Sequence, residues 1–112
     1  MQKDDALRIA RRARLSRNAE RHIRKHFNEF GFKSPRDFSR RKILRLVNEV
    51  TRKYTRAFYE PDEDDAAIIL LRSEILLIVD VQRQLIKTMF VVVDREYVTR
   101  KLRRGIWIEL QL

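Results

Sequence analysis

Cysteine is absent from this chain of 112 residues, and glycine and proline occur only twice each. Without a thiol there can be no disulfide framework, no thiolate zinc site and no cysteine nucleophile. The same lack suits a reducing compartment. No apolar run is long: Ala66–Leu71 and Ile75–Val79 are far too short to cross a bilayer. Residues 1–16 are charged throughout and carry no apolar core of a secretory signal, so a cytoplasmic location is expected. There is no glycine-rich phosphate loop and no persuasive Ser/His/Asp order, which argues against nucleotide hydrolysis and triad chemistry.

What is present is cationic charge in one place. The chain has a formal net charge of +10. Residues 1–57 hold 18 Lys/Arg against 6 Asp/Glu, whereas residues 58–112 hold 8 against 10. A half-chain excess of this size sets up a field that attracts phosphates. The apolar fraction, 44%, is high enough for a core and too high for a disordered chain. One domain over 1–112 is expected, with a basic helical half at 1–58 and a sheet half at 66–112.

The few breakers mark the boundaries. Asp4–Arg14 reads as a short helix. Ser16 suits the N-cap of a second helix, Arg17–Phe30, with Ala19, Ile23, Phe27 and Phe30 on one face and Gly31 as its stop. Ser34-Pro35 reads as the start of a third helix running to about Phe58, with Ile43, Leu46, Val47, Val50, Tyr54, Ala57 and Phe58 as its core stripe. Tyr59–Asp65, with Pro61 and four consecutive carboxylates, reads as an exposed loop that could lie against the third helix. Ala66–Arg72, Ile75–Val81 and Leu85–Val93 are rich in Ile, Leu and Val and read as an antiparallel meander. A short helix over Asp94–Arg103, stopped by Gly105, precedes a last strand over Ile106–Leu110. The expected fold is α+β: three N-terminal helices packed on a four-stranded, mainly antiparallel sheet, with a short helix before the last strand.

The leading constellation is the basic helical surface. Its candidate nucleic-acid-binding residues are Arg17, Arg21, Arg24, Lys25, Arg40, Arg41, Arg45, Arg52 and Arg56. Arginine predominates, and its planar fork pairs bidentately with phosphate. No zinc-finger spacing, RNP-like aromatic strand or basic zipper is present, so the pattern carries no sequence code. His22 and His26 stand one turn apart, but no carboxylate completes a zincin-type helix and arginines surround them, so no metal is expected. His22 remains available for phosphate contact or proton transfer. Nothing in the sequence calls for a cofactor.

Ile68-Ile69-Leu70-Leu71-Arg72, Ile75-Leu76-Leu77-Ile78-Val79-Asp80, Leu85–Val93 and Asp94-Arg95-Glu96 together resemble the sheet of the RelE/ParE ribonuclease-toxin family. The opening Ser16–His22 is similar to the first helix of small phage-borne proteins of that architecture. The resemblance implies an RNA-binding or RNA-cleaving surface. It would place Arg72 as the strand arginine, Lys87 on the following hairpin and Tyr97 as the tail aromatic. Two departures oppose catalysis: the sheet half is nearly neutral, and Ser73-Glu74 replaces the glycine-aspartate turn expected after the strand arginine.

The functional expectation is a small nucleic-acid-binding protein, with RNA ahead of DNA. An endoribonuclease using Arg72, Lys87 and His22 without a metal is the enzymatic alternative, and the balance is against an enzyme. The third reading is a phage-type regulator that binds a host nucleic-acid enzyme. Its motive is the apolar character of Ile68–Leu71 and Ile75–Val79, which want cover on both faces. That cover could come from Ile106–Leu112, from a second copy in a homodimer, or from a protein partner.

Overall fold

A computed structural model describes residues 2–111. Its elements in chain order are α1 (Lys3–Arg12), α2 (Arg17–Arg24), a 3-10 turn (Phe27–Phe30), α3 (Arg40–Lys53), β1 (Arg56–Glu60), β2 (Ala67–Arg72), β3 (Ile75–Asp80), β4 (Leu85–Val91), α4 (Tyr97–Arg103) and β5 (Ile108–Leu110). The strands form one antiparallel sheet in the order β4-β3-β2-β1-β5. The α+β class is as expected. No helix among the described residues is long and apolar enough to cross a membrane.

The fifth strand is a correction. The third helix does not run to Phe58; it ends at Lys53, and Tyr54 turns extended (φ −56°, ψ 147°). Residues 56–60 then pair with β2 on one side and β5 on the other. The sheet half therefore begins at Arg56 rather than residue 66. The reason is local: Tyr54, Thr55, Phe58 and Tyr59 favour the pleated backbone. Ala57 and Phe58 are both buried yet belong to opposite faces of the sheet, which a helical stripe could not achieve.

Helix boundaries shift for similar reasons. Ser16 does cap α2, its side chain accepting from the Ala19 N–H at 3.1 Å. The helix stops at Arg24, however, and Phe27–Phe30 tighten into the 3-10 turn before Gly31, whose φ of 86° suits glycine. Ser34 accepts from Asp37 N–H in a turn, not at a helix start; Ser39 caps α3 instead, accepting from Lys42 N–H. Phe38, fully buried, pins the segment between them and stacks on Phe32 at 4.6 Å.

The sheet is covered on both faces. Ile68, Leu70, Leu77, Val79 and Met89 pack under α1–α3, against Leu7, Ile23, Ile43, Val47 and Val50. The opposite face carries Phe58, Ala67, Ile69 and Leu76, and α4 closes it with Val98, Tyr97 and Leu102. The last strand is shorter than expected because Ile106 and Trp107 turn into this second core after Gly105 (φ 71°). Trp107 stacks on Phe58 at 5.4 Å and donates from Nε1 to Glu60 at 2.7 Å. The apolar face that called for a second copy is thus closed from within. Among the described residues the exposed large apolar side chains are Val93, at 84%, and Ile108, at 53%.

Phe58→Ala should cost about 3–5 kcal/mol, as for other buried aromatics. A urea titration followed by the fluorescence of Trp107, the sole tryptophan, reads this directly. A loss below about 1 kcal/mol would contradict a second packed core.

Candidate nucleic-acid interface

An α-helix turns about 100° per residue, so the buried residues of α3 fix which way its others face. Ile43, Val47, Val50 and Thr51 are buried toward the sheet. Arg41, Arg45 and Arg52 therefore lie on the opposite side with Asn48, and all four are exposed. On α2, Ala19 and Ile23 are buried, which turns Arg17, Arg21 and Lys25 outward. A shallow depression runs along α3 between Arg40 and Lys53, lined only by that helix. Long stems rising from one helix make it a corrugated surface, not a cavity for a small molecule. A second depression joins Leu15 and Ser16 to Arg17, Arg21, Arg24 and Arg40. Arg40 borders both, so the basic surface is continuous from the start of α2 to the end of α3.

Glu20 organises the junction. Arg24 donates to its Oε2 at 2.6 Å and Arg40 to its Oε1 at 2.6 Å. The same arginines reach backbone carbonyls: Arg24 Nε bonds the Phe38 oxygen at 2.9 Å, and Arg40 Nη2 the Leu15 oxygen at 2.8 Å. One carboxylate thereby ties α2, the 34–39 turn and the start of α3 together. The guanidinium of Arg40 holds Glu20 below the usual carboxylate range; partial burial opposes this, and Arg24 adds to it.

The arginines thus divide by role. Arg24 and Arg40 sit within the surface but are engaged in tethering it. Arg17, Arg21, Lys25, Arg41, Arg45 and Arg52 make no salt bridge among the described residues. Arg56 does not belong with them. It begins β1, pairs with Glu109 of β5 at 2.8 Å and lies over the Phe58 ring on the far face of the sheet. Its misplacement follows from reading the helix to Phe58, five residues past its end at Lys53. Sequence reasoning left Asn48 out of the surface and missed the tether through Glu20. The i, i+4 spacing of Glu20 and Arg24 was a visible signal for half of that tether.

The three catalytic candidates are dispersed. Arg72 ends β2 on the helical side, bonded to Glu49 of α3 at 3.3 Å and to the Lys53 carbonyl at 3.3 Å. Lys87 is the extra residue where the β3–β4 register shifts, and it reaches Asp65 at 2.7 Å. By register it sits toward the opposite end of the sheet from Arg72. His22 is exposed on α2, its ring 5.6 Å from that of His26, whose Nδ1 meets Glu29 at 2.5 Å. Tyr97 lies within the second core, where burial, with Glu60 nearby, pushes its phenol up. The acidic loop lies by the β3–β4 hairpin, through Asp65 to Lys87 and the Glu63 carbonyl to Gln82, not along α3. Ser73 takes the positive φ, 53°, at the turn after Arg72. Among the described residues no cluster of His, Asp and Glu could hold a metal ion. No protein-family model matches this chain, and no curated protein or solved structure is significantly similar to it.

Because folding depresses the Glu20 carboxyl, its stabilisation is fully present above the ordinary value of 4.5 and is lost as pH falls through the folded value. Glu20→Gln should cost about 1.5–3 kcal/mol at neutral pH, the range for bonds to charged partners. Thermal melts across the acid range should show the variant losing less stability on acidification than the wild type. Asp80, Asp94 and Glu109, also depressed, keep some acid sensitivity in both. Identical acid profiles would contradict the tether.

Proposed function

We propose that the protein binds nucleic acid through the outer surface of α2 and α3. The observation that carries this reading is a set of exposed cations on one continuous surface that make no salt bridge among the described residues: Arg17, Arg21, Lys25, Arg41, Arg45 and Arg52. Cations on a folded surface repel one another, and a polyanion relieves that repulsion while releasing condensed counterions. The surface is open and shallow and offers phosphate contacts without an enclosed reaction site. That supports a binding role over an enzymatic one, as does the dispersal of Arg72, Lys87 and His22. The protein-binding alternative has less to rest on once α4 closes the second sheet face, since among the described residues only Val93 and Ile108 stay exposed as large apolar side chains.

Fluorescence anisotropy against labelled oligonucleotides over a salt series tests the reading. On a duplex, each phosphate contact contributes about 0.9 to the slope of log K against log salt, so R41Q/R45Q/R52Q should flatten it by up to about 2.7. Arg56→Gln, on the far face, should leave the slope unchanged. Salt-independent binding by the wild type, or equal slopes in both variants, would remove the proposal.

A further inference from the structure

The outer face of α3 has a composition beyond charge. Arg41, Arg45, Asn48 and Arg52 fall within about 60° of arc at 3.6 residues per turn and extend about 16 Å along the axis. Asn48 stands among the arginines, exposed, and its side-chain amide makes no hydrogen bond among the described residues. Its backbone carbonyl accepts from the Thr51 hydroxyl at 3.0 Å.

The second observation is a lack on the same surface. None of the ten aromatic side chains is exposed. Phe38 is fully buried, Phe27, Phe30 and Phe32 pack against the main core, and Lys42 covers the Phe32 ring at 5.2 Å. Proteins that hold single strands do so by stacking bases on exposed rings beside a basic groove. The exposed imidazoles of His22 and His26 meet edge to face, at 67°, and present no parallel platform.

From these two observations we infer that the ligand is double-helical DNA, met by the outer face of α3 in the major groove, with Asn48 directed at the base edges. This rests on the nucleic-acid reading above and narrows it. The B-form major groove is about 12 Å wide and admits one helix, whereas the A-form groove of RNA is too deep and narrow for side chains. Arginines toward both ends of the face reach the phosphates bounding the groove. Asparagine is the side chain whose amide pairs bidentately with adenine N6 and N7. The sequence reading places RNA slightly ahead of DNA; the absence of exposed stacking rings and the helical presentation favour duplex DNA instead.

Two measurements test it on the intact chain. The first compares single-stranded DNA, duplex DNA and duplex RNA of equal length and sequence at one salt concentration. Duplex DNA should bind at least about tenfold more tightly than either other form, a difference of about 1.4 kcal/mol. Equal or tighter binding of single strands or of duplex RNA overturns the inference while leaving nucleic-acid binding intact. Binding of none of the three overturns both. The second selects from a random-sequence duplex DNA pool with wild type and Asn48→Ala. The wild type should enrich a short motif containing adenine. The variant should lose the preference at that adenine and bind the selected duplex about 5- to 150-fold more weakly, the cost of one lost bidentate base contact. No enrichment by the wild type, or the same motif from both proteins, overturns the role of Asn48.

Discussion

Strands β2 and β3 are the two central strands whose residues are apolar toward both sides. Ile68, Leu70, Leu77 and Val79 face one way, Ile69 and Leu76 the other, and all six are fully buried. Neither face of such a ribbon tolerates water, so the rest of the chain is arranged to exclude it. α1–α3 cover one side. On the other side α4 lays Tyr97, Val98 and Leu102 across the strands, and Trp107 fills the space beside Phe58. The pairing of β1 with both β2 and β5 lets the chain reach that second side without crossing itself.

That arrangement has an electrostatic consequence. A helix that gives its apolar stripe to the sheet must send its remaining residues to solvent, and in α2 and α3 these are mostly arginines. The sheet absorbs some cations locally: Arg56 with Glu109, Arg83 with Asp80, Lys87 with Asp65. The helical layer has few acids to do the same. Glu20 serves two arginines at once, and Glu49 is turned to Arg72 of β2. The outer row of α3 stays uncompensated because its own helix offers no further carboxylate.

How much of this was legible in the sequence varied with the kind of signal. The meander was readable because Ile and Val dominate between short polar turns, and Ser16 announced the start of α2, whereas Gly31 marks the end of the 3-10 turn that follows α2 and not of the helix itself. The start of α3 was misread because Ser34-Pro35 and Ser39 both offer caps, and only the burial of Phe38 decides between them. Its end was misread because Ala57 and Phe58 continue a helical spacing by coincidence; strand pairing with Ile69 and Leu70 overrides it. The basic surface was legible as composition. Which arginines stay without salt bridges was not, since Glu20 and Glu109 select their partners across 20 and 53 residues of chain.

On the proposed reading, an anionic ligand contacts the outer faces of α2 and α3 and nothing on the far side of the sheet. Backbone amide chemical-shift mapping during titration with a short DNA duplex tests it most directly. Shifts should concentrate at residues 16–25 and 40–53, with α4, β5 and the β3–β4 hairpin unmoved. Shifts centred on α4, where Arg100, Lys101, Arg103 and Arg104 lie, or spread evenly over the molecule, would contradict it.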